Sequence, residues 1–294
     1  MRDKCMIVAE MSANHNGKKE TAIETVRAAK RAGADAVKLQ TYRADTITLR
    51  CDKPDFIINE GSIWDGQYFY DLYEQAYTPW EWHEELFHVA KEEGLICFSS
   101  PFDKTAVDML EALDCPVYKI ASFEITDIPL IEYAASKHKP MVLATGIATE
   151  EDIQLAVEAC RRMGNNDITV LKCTSSYPAP VEEANLCMIR DLAERFQVKS
   201  GLSDHTLGSV SPIVAVTQGA SMIEKHFILN RSIGGPDCSF SMEEKDFAQM
   251  VKDVRMAVRP GFGLHPKYLK DILGKNVNRD LEKGTRFALE YVNG

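Results

Sequence analysis

Nowhere in this chain does an apolar run approach the roughly 20 residues that cross a bilayer. The opening MRDKCMIVAEMSANHNG holds no secretory core before it enters a strand-like pattern. A membrane or exported protein is therefore not expected, and a cytoplasmic one is. A basic surplus is missing too: 34 Lys and Arg stand against 44 Asp and Glu, a net charge of −10, with no Lys/Arg stripe. That excludes nucleic acid as the expected partner, and an anionic substrate must be held by local lysines against an acidic overall field. The eight cysteines never fall at CxxC spacing. Several sit in apolar runs such as LICFSS and VLKCTSS, as reduced core thiols of a cytosolic protein do. No GxGxxG turn follows the first apolar run, which counts against a dinucleotide-binding open sheet.

What remains is an ordinary globular composition, 45% hydrophobic and 27% charged over 294 residues. That is enough for one large core or a large domain plus a small one. Short apolar runs at 5–11, 36–40, 95–100, 117–122, 141–146, 168–174, 198–204 and 220–227 alternate with helical patterns. The helices are expected at 19–32, 79–93, 103–113, 127–137, 149–163, 184–196, 208–218 and 244–256. Thr149 followed by Glu150, Glu151 and Asp152 reads as a helix start, and Thr78-Pro79 places proline just inside another. Nearly continuous apolar strands, each followed by a helix, predict an α/β fold of the (β/α)8 TIM-barrel type. One stretch breaks the rhythm. Residues 41–78 are too long for a plain loop and carry Tyr42, Phe56, Trp64, Tyr68, Phe69, Tyr70, Tyr73 and Tyr77. Such an insertion either shapes a substrate site or covers the barrel wall.

In this fold, polar residues where strands end carry chemistry. Here they are Glu10 with Asn14, His15 and Asn16; Lys38 and Gln40; Ser99-Ser100; Lys119, Ser122 and Glu124; Thr145; Thr174 to Tyr177; Ser203-Asp204-His205; and Glu224-Lys225-His226. Lys38 and Lys119 lie within strands, where an inward lysine is a costly charge unless compensated. An anionic ligand with nearby serine hydroxyls is one compensation, and pairing with a strand-end carboxylate such as Glu124 is the other. His205 and His226 end adjacent strands and are able to share a divalent metal, although two histidines alone equally fit hydrogen-bonding roles. His15 fits a third ligand or, better, a loop-ordering role. His83, His88, His138 and His265 read as helix-surface or loop residues.

Taken together, IVAEMSANHNG, AGADAVKLQTY, FSSPFD, YKIASFEITDIPLI, ATGIAT, LKCTSSYPAP, GLSDHTLG, EKHF and GGPD resemble the sialic acid synthase family. That family comprises the N-acetylneuraminate, legionaminate and pseudaminate synthases. The likeness runs from about Ile7 to Phe247, and strings such as LQTYRADTITL and WDGQYFYDLYEQAYTPWEWHEELF are similar to the pseudaminate branch.

The resemblance implies condensation of phosphoenolpyruvate with 2,4-diacetamido-2,4,6-trideoxy-L-altrose and release of phosphate. It implies phosphoenolpyruvate contacts at Lys38, Gln40, Ser100, Lys119, Ser122, Ser175 and Ser203. It implies metal ligands at His205 and His226, commonly with Mn2+, and Mg2+ or Co2+ as alternatives. Sugar contacts are implied at Glu10, Tyr177, Asp237 and Arg259, with Glu10, Glu124 and the two histidines at the reacting centre. Where relatives often carry serine, this chain has Ala144 followed by Thr145, so that either one phosphate hydroxyl is lost or Thr145 replaces it. An N-acetylneuraminate or legionaminate synthase is the alternative within the family; a class I aldolase and a catalytically impaired ligand-binding barrel are the rivals outside it. The domain expectation is a barrel over 1–257 and an incomplete antifreeze-like (SAF) segment over 258–294. In the family that module reaches over the partner's site in a homodimer.

Overall fold

The computed structural model describes residues 5–59, 61–257, 268–281, 285 and 288–292. Eight strands run in sequence order: β1 (Met6–Glu10), β2 (Ala36–Thr41), β3 (Ile96–Pro101), β4 (Tyr118–Ile120), β5 (Met141–Ala144), β6 (Ile168–Cys173), β7 (Lys199–Asp204) and β8 (Met222–Ile228). Each pairs in parallel with the next, and β8 pairs back to β1 with Glu10 opposite His226. The sheet therefore closes into a (β/α)8 barrel, as expected. A two-residue strand, β9 (Met242–Glu243), adds to the end of β8.

The helices are α1 (Lys19–Arg31), α2 (Ala44–Ile47), α3 (Phe69–Ala76), α4 (His83–Glu92), α5 (Lys104–Ala112), α6 (Ile128–Ala135), α7 (Glu150–Arg162), α8 (Met188–Phe196), α9 (Val210–Thr217) and α10 (Glu244–Ala257). Their starts follow local chemistry. Thr149 and Asp152 form a reciprocal capping box on α7, while Asp103 and Asp127 accept backbone N–H groups at the starts of α5 and α6. The pattern at 79–93 begins as a single 3-10 turn, Trp80–Trp82, before α4.

Strands are buried on both faces because helices cover the outside and side chains fill the inside. The buried apolar side chains form two clusters, one around Ile7, Leu39, Phe227 and Phe247, the other around Phe98, Tyr118, Ile131 and Leu143. Glycine is required at 201 on β7, where a Cβ would stand 2.3 Å from the Met222 carbonyl oxygen.

The insertion 41–78 folds as α2, a 3-10 turn (Pro54–Phe56), an antiparallel bridge between Ile57 and Tyr68, and α3. Buried histidines clasp both its ends. His83 Nε2 meets Thr41 Oγ1 at 2.8 Å, and His15 Nε2 meets Thr78 Oγ1 at 3.2 Å. The expectation of a surface role for His83 is thus corrected: it is fully buried, because its ring turns from α4 toward the Thr41–Ser99 hydroxyl pair. His15 orders its loop, as the sequence favoured, accepting from Gly17 N. His265 lies outside the described residues.

The chain divides into compact units Met1–Val258 and Arg259–Gly294. In the second, the described residues form α11 (Leu269–Ile272) and a Val277–Val292 bridge, and none of those whose side chains are described is buried.

Candidate active site

Lys119 on β4 reaches Glu224 on β8 at 2.6 Å, and these strands face each other across the barrel, so both side chains point inward. The same Glu224 oxygen, Oε1, accepts from Ser203 Oγ at 3.1 Å and lies 3.8 Å from Lys38 Nζ. Lys38 in turn contacts Glu10 on β1 and Ser100 Oγ at 3.4 Å. Glu10, Lys38, Glu224 and Lys119 are each at most 5% exposed. Together they form an alternating chain of two negative and two positive groups.

Burial disfavours charge on Glu224, yet Lys119 and Lys38 more than offset it and hold the carboxyl below its ordinary range. For Glu10 burial wins, and its pKa rises to about 7 although Lys38 pulls the other way. Lys38 is in ion-pair contact with Glu10, but neither Glu10 oxygen accepts a well-formed hydrogen bond. Glu224 Oε2 is likewise buried without a partner. The lysines thus have carboxylate partners, Glu10 and Glu224 rather than Glu124, and still leave acceptor capacity at the barrel centre. Burial opposes the charge of Lys119, but Glu224 and Glu10 prevail and stabilise it. That opposes a Schiff-base role, which needs a neutral amine.

Beside this network, three consecutive strand ends converge. Ser122 follows β4, Gly146 follows β5 and Ser175 follows β6. Gly146 N donates to Ser122 Oγ at 3.0 Å, and Ser175 Oγ is buried with no partner. Beside Ala144, the Thr145 hydroxyl donates to the Leu171 carbonyl at 3.1 Å. Glu124, in the 3-10 turn after β4, has a buried unpartnered Oε2, and burial raises its pKa to about 7 while Lys119 draws it down. Gln40 lies two residues beyond Lys38 on the same face of β2, opposite Ser100.

The histidines meet as expected. The His205 and His226 rings lie 5.4 Å apart. His205 Nδ1 donates to the Thr174 carbonyl at 2.9 Å, which leaves Nε2 for another partner. His226 Nδ1 is buried and unpartnered, and burial, with the positive groups around it, keeps the ring neutral. Burial opposes charge on His205, but Cys173 and the Thr174 carbonyl prevail and raise its pKa. Two imidazoles with free nitrogens are chemically suited to a divalent metal. Among the described residues no cluster of three or more His, Cys, Asp or Glu is gathered for one.

Tyr177 lies 4.3 Å over His205, and Phe240 packs 5.0 Å from His226. Trp64, from the long insertion, closes on Tyr177 at 5.5 Å and donates its Nε1–H to the Pro236 carbonyl at 3.0 Å. Asp237 is fixed by Ser12 Oγ at 2.5 Å and Ala13 N at 3.2 Å. The sequence placed Glu224 among the strand-end polar residues without a role and did not single out Phe240. Its available signal for Glu224 was the alternation on β8, which puts Glu224 and His226 on one face. Arg259 lies outside the described residues.

Residues 25–260 match the model of the NeuB family. The chain belongs to that family. This NeuB-family chain is 45% identical to the pseudaminic acid synthase of Helicobacter pylori, over 97% of each chain. It is 42% identical to the enzyme of that name from Campylobacter jejuni, covering 96% of this chain and 94% of the other. Among solved structures, it resembles the N-acetylneuraminic acid synthetase of Leptospira borgpetersenii with a TM-score of 0.80 at 28% identity. That likeness covers 92% of this chain and 91% of the other.

Proposed function

We propose that this chain catalyses the pseudaminic acid synthase reaction, joining phosphoenolpyruvate to 2,4-diacetamido-2,4,6-trideoxy-L-altrose. The observation that carries it is the inward network of Lys38, Lys119, Ser203 and Ser100 with unsatisfied Glu10 and Glu224 oxygens, in a chain so similar to pseudaminic acid synthases. The lysines and the Ser100, Ser122, Ser175 and Ser203 hydroxyls, with Gln40, bind and orient phosphoenolpyruvate. Preorganised donors of this kind stabilise charge developing on phosphate and carboxylate oxygens. C3 of phosphoenolpyruvate attacks the sugar aldehyde, water adds at C2, and the C2–O bond to phosphate breaks. Glu124, with a pKa of about 7, is suited to take the proton from that water.

A divalent metal on His205 and His226, Mn2+ by preference, supplies Lewis-acid polarisation of the aldehyde when bound. Glu10, Tyr177 and Asp237 hold the sugar. The Trp64–Tyr177–Phe240 surface gives an apolar wall that suits a 6-methyl group. The tail 258–294 reads as an incomplete antifreeze-like segment. The alignment to the Helicobacter relative runs 331 positions against 294 residues here, so at least 37 positions face gaps in this chain. A cytoplasmic homodimer fits exposed Phe123, Ile147, Leu207 and Val210, all between strand ends and the helices that follow or at such a helix's first residue, at the catalytic end of the barrel.

The test is phosphate release from phosphoenolpyruvate with Mn2+ and a panel of sugars. The diacetamido-trideoxy sugar should turn over faster than N-acetylmannosamine. The opposite order overturns the branch, and no release with any sugar supports the impaired ligand-binding barrel instead.

A further inference from the structure

Gly146 has no left-handed backbone angle, so conformation does not explain a glycine there. Space does. A Cβ at this position would stand 2.0 Å from Ser175 Oγ, 2.8 Å from Ser122 Oγ and 3.1 Å from Ser122 Cβ. Ser122 and Ser175 come from strands on either side of β5, and both hydroxyls lean over the Gly146 backbone. Gly146 N–H secures the first of them, while Ser175 Oγ stays buried with no protein partner. A buried hydroxyl in that condition is costly unless a ligand completes it.

We propose that Gly146 is a positioning residue for the anion subsite: its missing side chain is what lets the Ser175 hydroxyl point at a phosphate or carboxylate oxygen. The inference rests on the phosphoenolpyruvate reading above. Serine relieves such a clash by rotating about one bond, so a methyl group at 146 displaces the hydroxyl and leaves the barrel standing. The loss then acts through Ser175. Gly146→Ala and Ser175→Ala must therefore be redundant rather than additive.

The experiment compares the wild type, Gly146→Ala, Ser175→Ala and the double variant. Each is read for KM of phosphoenolpyruvate, kcat, thermal midpoint and binding of inorganic phosphate. Gly146→Ala should raise KM about tenfold or more, the cost of a lost hydrogen bond to a charged group, with kcat changed by less than about threefold. The double variant should be within about twofold of Gly146→Ala alone. An unchanged KM in Gly146→Ala, or effects that multiply, overturns the inference. If Gly146→Ala fails to fold, the double variant decides, since it lacks the nearer clashing oxygen, the one at 2.0 Å. Recovery of folded protein supports the inference and continued misfolding overturns it. Phosphate binding separates this claim from the functional one. A wild type that never turns over phosphoenolpyruvate defeats the reaction, whereas phosphate affinity lost only in the variants still sustains the role of Gly146.

Discussion

Strands β7 and β8 carry buried charge on both faces, and the two faces are finished differently. Outward, Lys225 donates to Asp204 Oδ2 at 2.5 Å and to the Thr206 carbonyl at 2.6 Å. Asp204 Oδ1 also accepts from Thr206 N and Oγ1, at 3.0 and 2.8 Å. Inward, one residue away on each strand, Ser203, Glu224 and His226 belong to a network that leaves Glu224 Oε2 and His226 Nδ1 unpartnered. The chemistry is alike, lysine against carboxylate. The difference lies in what is left over. A closed pair under the helices fastens a strand end, while an open one inside the barrel keeps binding capacity for something that arrives. Unsatisfied buried atoms therefore discriminate between the two roles better than charge or burial does.

The comparison can be strained from each side. On the inward face, His226→Ala should abolish turnover, a loss on the order of a thousandfold or more, with an unchanged circular dichroism spectrum. Chelator should silence the wild type reversibly, and full activity in protein verified to be metal-free would remove the metal from the account. On the outward face, Lys225→Met leaves Asp204 buried and unpaired. It should cost about 3–5 kcal/mol in urea unfolding, with kinetics per folded molecule unaltered. A stable Lys225→Met variant with damaged kinetics would erase the distinction between the faces.

The smallest effect concerns Glu124. Burial raises its folded pKa from 4.5 to about 7, so the folded state holds this proton more tightly than the unfolded chain. The contribution is complete below about pH 4.5 and is lost as pH rises through about 7. Relative to the wild type, Glu124→Gln should gain stability between pH 5 and pH 8, on the order of 1–3 kcal/mol. A gain that shrinks over that range contradicts a buried, proton-holding carboxyl.

Much of this was legible in the sequence. Barrel strands are apolar along their length because both faces are covered, and every strand overlaps its expected run, β2, β3 and β8 ending one residue beyond it. The inward residues were legible because the fold places chemistry at strand ends, which singled out Lys38, Lys119, His205 and His226. What escaped depended on contacts that spacing does not encode. Lys119 and Glu224 are 105 residues apart and meet only across a closed barrel, so Glu124, the near neighbour, looked the better partner. His83 looked exposed beside Glu84 and Glu85, yet one ring nitrogen reaches Thr41 on β2. The Trp64–Phe240 contact joins the insertion after β2 to the loop after β8, and only closure of the barrel brings those together.

The most direct test is the kinetic comparison of Lys119→Met and Lys38→Met with Lys225→Met, each corrected for folded fraction. The account predicts that kcat/KM for phosphoenolpyruvate falls about thirtyfold or more in the two inward variants, the equivalent of about 2–5 kcal/mol. In Lys225→Met it should stay within about twofold of the wild type. Near-normal phosphoenolpyruvate use by either inward variant, or an equal loss in all three, would contradict it.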